Sequence, residues 1–361
     1  MKKIETKLAQ LGNRKDNVTG AIVTPIYLST AYAHPGLGES TGYDYTRTKN
    51  PTRTILEGGL CDLEEGCYAV ATSSGMSAIQ LIFELFDLNS EFLVSRDLYG
   101  GSFRYFDELE HKGAQKFIYF TDEEDLKNKI TDKTEAVYVE TPTNPLMQEV
   151  NIEQVAKIAK QKGALLIVDN TLLTPLRQKP LILGADIVIH SATKYLTGHN
   201  DILAGAVITN NEKIGERLLW LSNTTGAVLS SFDSWLFIRS LKTLPLRFSK
   251  QENNAIKLAE ELEKHPNVKE VLYPKRGAML SFRLNDETKI DKFLRSLKVA
   301  TFAESLGGVE TFVTYPTTQT HFDIPEELRL SYGLTPDLLR VSVGIEDIDD
   351  LLEDFLRALE V

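Results

Sequence analysis

The chain has 361 residues, 42% of them hydrophobic and 25% charged, with a formal net charge of -11. That length can bury a large core in two or three domains, and the acidic balance argues against nucleic acid or an anionic membrane as a general partner. Met1-Lys2-Lys3 leads into Ile4-Glu5-Thr6-Lys7 with no apolar signal segment, no run is long enough to span a bilayer, and Cys61 and Cys67 have no histidine cluster beside them, so a cytoplasmic protein with reduced thiols and no bound metal is expected.

Residues 1–44 read as polar and irregular, with Pro25 and Pro35 among scattered glycines. Such an arm has little apolar surface of its own and must lean on something else to be ordered. Tyr43-Asp44-Tyr45-Thr46-Arg47-Thr48-Lys49-Asn50-Pro51-Thr52-Arg53 follows, where an arginine fork and a phenol can clamp a phosphate. A helix is expected over Ile55–Glu64 and a strand over Tyr68–Ala71. Thr72-Ser73-Ser74-Gly75-Met76-Ser77 then turns into an apolar helix running through Phe86. Gly75 permits close backbone approach, and the unsatisfied N–H groups of a helix start make an anion site; N-capping by Ser73 or Ser74 is compatible with both.

A strand at Phe92-Leu93-Val94 leads to Leu98-Tyr99-Gly100-Gly101-Ser102-Phe103-Arg104. Two glycines beside Tyr99 keep the backbone clear, so its ring can stack on a planar group; a plain buried tyrosine is the other reading. Ala136–Glu140 reads as a strand closed by Thr141-Pro142-Thr143-Asn144-Pro145, where Asn144 can donate to a ring oxygen or a carboxylate. Ile152–Gln161 is the expected crossover helix into Ala164-Leu165-Leu166-Ile167-Val168-Asp169, an apolar strand ending in a carboxylate.

Ile187-Val188-Ile189 is a further buried strand, and it runs into Ser191-Ala192-Thr193-Lys194-Tyr195-Leu196-Thr197-Gly198-His199-Asn200-Asp201. A lysine just past a buried strand lies where open α/β sheets collect their ligands. Its amine can form a Schiff base with an aldehyde, and the hydroxyls of Ser191 and Thr193 can hold that aldehyde's phosphate. An acid such as Asp169, on a neighbouring strand, keeps a pyridine nitrogen protonated. These requirements are those of pyridoxal 5'-phosphate (PLP). The alternation of strands and helices implies an α/β fold with a mostly parallel sheet covered on both faces.

Beyond a strand at 203–208 and helices within 220–247 lies a smaller α+β unit. It comprises a helix at Asn253–Lys264, strands at Val268–Leu272 and Leu280–Leu284, a helix at Ile290–Leu297 and a final helix with Ile348, Leu351, Leu352, Phe355, Leu356 and Leu359 on one stripe. Arg340 stands alone in the strand-like Leu339–Gly344, and a buried arginine needs an anion, for which an amino acid's α-carboxylate suits the planar fork.

Ser191–Asp201, Thr141–Pro145, Asp169-Asn170-Thr171 and Ser305-Leu306-Gly307-Gly308-Val309-Glu310 together resemble the Cys/Met-metabolism family of PLP enzymes, from about Thr19 to Asp347. The resemblance implies the aspartate-aminotransferase type of fold. It divides the chain into an arm (1–44) contacting a neighbouring subunit, a PLP-binding domain (45–242) and a C-terminal domain (243–361), assembled as a homotetramer of two active dimers. Lys194 and Tyr99 are the implied catalytic pair, with Tyr99 stacking on the cofactor ring. The amides of Gly75 and Met76 are implied at the phosphate, joined by Tyr45 and Arg47 from the partner. Asn144, Asp169, Ser191 and Thr193 complete the cofactor set. Ser305 and Arg340 hold the substrate carboxylate, with Asn144 beside them and Arg104 a weaker candidate. Glu304 occupies a position that looks acidic in members acting at the γ-carbon and aromatic in β-lyases.

Thr46 and Ser102 stand where serine and threonine are more usual, and the segment from Tyr273 to Met279 is shorter than in many relatives. The implied reaction is γ-replacement: an O-acylhomoserine and L-cysteine give L-cystathionine and a carboxylic acid. Use of sulfide in place of cysteine, γ-elimination from cystathionine, and a non-catalytic PLP-binding scaffold are the alternatives.

Overall fold

The structure is a computed structural model and describes residues 2–360. In chain order its elements begin with α1 (Ile4–Ala9), α2 (Pro51–Glu64), β1 (Tyr68–Thr72), α3 (Gly75–Phe83), β2 (Glu91–Ser95), α4 (Gly100–His111), β3 (Lys116–Phe120), α5 (Glu123–Lys129) and β4 (Thr134–Glu140). Then come α6 (Ile152–Gln161), β5 (Leu165–Asp169), α7 (Thr174–Arg177), β6 (Ile187–Ser191), β7 (Gly205–Thr209), α8 (Glu212–Thr225), α9 (Ser231–Leu241) and α10 (Leu244–Leu262). The last are β8 (Val268–Leu272), β9 (Met279–Leu284), α11 (Ile290–Ser296), β10 (Thr301–Phe302), β11 (Phe312–Thr314), α12 (Glu326–Ser331), β12 (Leu338–Ser342) and α13 (Ile348–Leu359).

The chain forms two compact units, one from Met1–Asp87 with Thr174–Pro245 and one from Leu88–Leu173 with Leu246–Val361. In the first, β7 lies between β1 and β6 and runs antiparallel to both. Helices α2 and α8 pack on β1, and α3 packs on β6 and β7, which is why Val70, Ala71, Val188, Ile189, Val207 and Ile208 are all buried. Asn50 starts α2 by accepting from the amides of Thr52 and Arg53, with Pro51 at the first helical position. Ser74 caps α3 through the amide of Ser77 at 3.0 Å. The arm differs from its expected irregularity in carrying α1, whose Leu8 is buried. It is tied down by Trp235 Nε1 donating to the Thr24 carbonyl at 3.0 Å. It is also less polar on its surface than expected, since Val18, Ile22, Leu28 and Leu37 all stand exposed.

The second unit carries β5-β4-β2-β3, every neighbouring pair parallel. Phe106 of α4 stacks on Phe117 of β3 at 4.4 Å and meets Tyr138 of β4 edge-on at 5.5 Å. This packing accounts for a helix that the sequence did not announce: α4 begins at Gly100, directly after Tyr99. A separate five-stranded sheet, β10-β11-β12-β9-β8, also belongs to this unit. As expected, the α13 stripe faces its core, with Phe355 against Phe282 and Phe293.

Candidate active site

In the first unit, β6 ends at Ser191 and the chain turns tightly through Lys194. The amide of Lys194 donates to the Ser191 carbonyl at 3.2 Å, and that of Gly198 to the Lys194 carbonyl at 2.8 Å. Gly198 takes φ 67°, a left-handed geometry that closes the turn without strain. The Thr193 hydroxyl lies 3.0 Å from the Ala204 amide and 3.2 Å from its carbonyl, so it pins this loop to the segment before β7. Lys194 and Ser191 are half-buried.

Gly75 comes within contact of Ser191: a Cβ on Gly75 would lie 2.7 Å from the Cβ and 2.8 Å from the Oγ of that serine. No side chain fits there. With the Ser74 hydroxyl spent on the Ser77 amide, the first amides of α3, those of Gly75 and Met76, are available to an anion, as at any helix start. Tyr45 and Arg47 are both exposed, with the guanidinium 5.4 Å from the phenol ring and its Nε 3.2 Å from Asn223 Oδ1. Their turn is held from beneath by buried Arg53, whose Nη2 donates to the Thr46 carbonyl at 2.9 Å and the Arg47 carbonyl at 3.1 Å. The sequence reading includes Arg53 in the stretch that can clamp a phosphate but gives it no bracing role, which only its burial at the start of α2 reveals.

In the second unit, Asp169 ends β5 with 8% exposure. Its Oδ1 accepts from the Thr171 amide at 3.0 Å and hydroxyl at 2.5 Å, and the Tyr138 hydroxyl lies 3.4 Å from Oδ2. Glu140 is the register partner of Asp169 in β4. Burial first, and then the charge of Asp169, hold its carboxyl well above the usual range. Glu140 Oε2 accepts the Tyr99 amide at 2.8 Å, and a Cβ on Gly101 would strike the Tyr99 ring at 2.4 Å. Tyr99 is therefore fixed at its backbone, with a glycine making room for its ring, which remains 38% exposed. The sequence reading missed Glu140, although it directly precedes the Thr141–Pro145 motif.

Arg340, 1% exposed in the middle of β12, donates from Nη1 to Asn144 Oδ1 at 3.0 Å. Its Nη2 donates to the Ser305 carbonyl at 2.7 Å and to Thr314 Oγ1 at 3.0 Å. Accepting from Arg340 settles the Asn144 amide orientation and leaves its NH₂ as the group that can donate elsewhere. Ser305 has φ 88°, a left-handed value that a residue with a side chain adopts at some energetic cost and that is concentrated at functional sites. Glu304 before it is exposed. Arg104 is engaged with Asp323 in an exposed ion pair, so it reaches a substrate only by leaving that partner.

In the first unit, a side-chain-free helix start and a lysine loop suit a phosphate and an aldehyde such as those of PLP. In the second, taken by itself, a buried acid and a flat ring made room for by glycine suit an aromatic nitrogen and a planar group. A family model described as Cys/Met metabolism PLP-dependent enzyme matches residues 5–360. The chain belongs to that family, and it is a PLP-dependent enzyme with the expected α/β fold. It is 57% identical over 358 residues to a cystathionine γ-synthase/O-acetylhomoserine (thiol)-lyase of Bacillus subtilis (strain 168), covering 99% of this chain and 96% of that protein. A cystathionine γ-synthase of Haemophilus influenzae is 52% identical, with 98% and 97% covered. The crystal structure of cystathionine γ-synthase from Xanthomonas oryzae pv. oryzae in complex with cystathionine superposes with a TM-score of 0.98 at 38% identity, covering 100% of this chain and 98% of that one. Among the described residues no helix is long and apolar enough to cross a membrane.

Proposed function

We propose that the chain is a cystathionine γ-synthase-type transferase: it replaces the acyl group of an O-acylhomoserine with the sulfur of L-cysteine, releasing L-cystathionine and a carboxylic acid. The observation that carries this reading is full-length similarity to γ-synthases above 50% identity, together with an exposed glutamate at position 304. PLP, when bound, supplies the electron sink that makes protons at Cα and Cβ of the substrate removable. Lys194 would hold the cofactor and would also serve as the base for those protons; a half-buried lysine near a phosphate is suited to both tasks. Asp169 keeps the pyridine nitrogen protonated and Tyr99 stacks on the ring. The amides of Gly75 and Met76, with Ser191 and Thr193, bind the phosphate, and Tyr45 and Arg47 reach it from a neighbouring copy. Asn144 donates its amide N–H to the ring oxygen. Arg340 and Ser305 grip the α-carboxylate, and Arg104 joins them on leaving Asp323. The carboxylic acid departs from Cγ and the cysteine thiol adds there.

A homotetramer working in the cytoplasm, in methionine biosynthesis, completes the proposal. Exposed apolar side chains on the arm support the intersubunit part. Sulfide use is the second reading, favoured by the double activity in the name of the Bacillus subtilis relative. Steady-state rates with acetyl-, succinyl- and phosphohomoserine, each against cysteine and sulfide, test both. Cysteine with one of the esters should give the highest kcat/KM. A preference for sulfide of tenfold or more with every donor would replace the synthase reading by that of a sulfhydrylase.

A further inference from the structure

Two loops of the second unit meet around a histidine that the proposed chemistry does not use. The segment Pro316–Ile324 forms a strap tied at its ends, by Arg329 Nη1 donating to the Thr317 carbonyl at 2.6 Å and by the Asp323–Arg104 ion pair. Between those ties the strap presses on the start of α4: the Thr320 carbonyl would lie 2.1 Å from a Cβ on Gly100, the residue after Tyr99. His321, fully buried, turns inward. Its Nε2 is 3.0 Å from the Asn144 carbonyl and its Nδ1 is 2.8 Å from Thr320 Oγ1. A neutral ring satisfies both contacts when Nε2–H donates to the carbonyl and Nδ1 accepts from the hydroxyl. Burial first, and then the positive charge of Arg340, push the imidazole down to about 4; the carbonyls of Asn144 and Leu98 oppose this more weakly.

Asn144 is therefore gripped at two points, its main-chain carbonyl by His321 and its side-chain oxygen by Arg340. We propose that His321 is a positioning residue for substrate-carboxylate binding: by fixing the Asn144 main chain it fixes the acceptor that aims the Arg340 guanidinium. An imidazole suits the task because it donates a hydrogen bond without adding a second cation beside a buried arginine. A lysine or arginine there would repel Arg340, and an apolar side chain would leave the buried Asn144 carbonyl short of a donor. The proposal rests on the reading of Arg340 as the carboxylate site.

The test compares two amides in the holoenzyme. In His321→Gln the amide nitrogen reaches about as far as Nε2 and can still donate to Asn144; in His321→Asn it stops near the position of Nδ1 and cannot. Binding of L-alanine and of ethylamine, the same amine without its carboxylate, is followed by cofactor absorbance and by thermal shift. His321→Asn should weaken L-alanine at least tenfold and ethylamine less than twofold, whereas His321→Gln should hold both within threefold of the parent. Equal weakening of the two ligands in His321→Asn, or unchanged L-alanine binding, overturns the positioning role. Arg340→Ala measured alongside separates the two claims. If it loses L-alanine selectively while His321→Asn does not, the carboxylate reading stands and the positioning role falls. If Arg340→Ala weakens both ligands alike, both claims fall together.

Discussion

Glu304 directly precedes Ser305, whose carbonyl is bonded to Arg340 and whose main chain sits at φ 88°. Under the proposed reaction a second amino acid must enter, and its ammonium needs an acceptor that sulfide does not. An exposed carboxylate pairing with that ammonium is partly screened, so the effect is modest, about fivefold. Glu304→Ala should raise KM for cysteine by about that factor, raise KM for the O-acylhomoserine less, and leave sulfide use nearly unchanged. Equal losses for all three substrates would mean that Glu304 serves only the local structure. At this scale the residues visible in the sequence were those with an anomaly attached: a lone arginine in an apolar run, an aspartate closing a strand, a lysine after one. His321 and Glu140 carried no such mark. A histidine in a polar loop and a glutamate at a strand end are ordinary until the fold buries them, and burial is what gives each its chemistry.

Local elements were legible where their pattern was self-sufficient. The α6 helix and the β5 and β8 strands fall within a residue of expectation, because periodicity and flanking turn residues point to one answer. Helix α4 was not legible, since two glycines at its start argue for a turn; packing of Phe106 against Phe117 and against the more distant Tyr138 overrides them. The same tertiary logic governs the loop between β4 and α6. Asp97, just past β2, is buried and accepts the Leu146 amide at 3.3 Å. Burial pushes its carboxyl up to about 6, against hydrogen bonds from Thr143 and Leu146 that lower it. A carboxyl raised in the fold gives a contribution that is fully present below the unfolded value of 3.8 and is lost as pH climbs through about 6. That gap corresponds to about 3 kcal/mol. Asp97→Asn should therefore melt higher than the parent at pH 8, with the advantage vanishing by pH 4. Thermal melts across that range check this; parallel curves for parent and variant would contradict it.

For the whole molecule, the proposed site draws on more than one copy of the chain. Tyr45 and Arg47 are exposed on a turn braced from within by Arg53, as suits groups that serve a neighbour. If they do, Arg47→Ala and Lys194→Ala damage different halves of one composite site. Mixing the two inactive proteins under subunit exchange should then restore up to about a quarter of parental activity, since some hybrid sites receive both intact groups. No recovery after exchange has been verified would show that each site is self-contained. The attachment of the cofactor underlies every role assigned here, and one measurement reaches it directly. Borohydride reduction of the yellow holoenzyme, followed by peptide mapping, should place the pyridoxyl group on the peptide containing Lys194 and nowhere else; its recovery on a different lysine would contradict the account at its foundation.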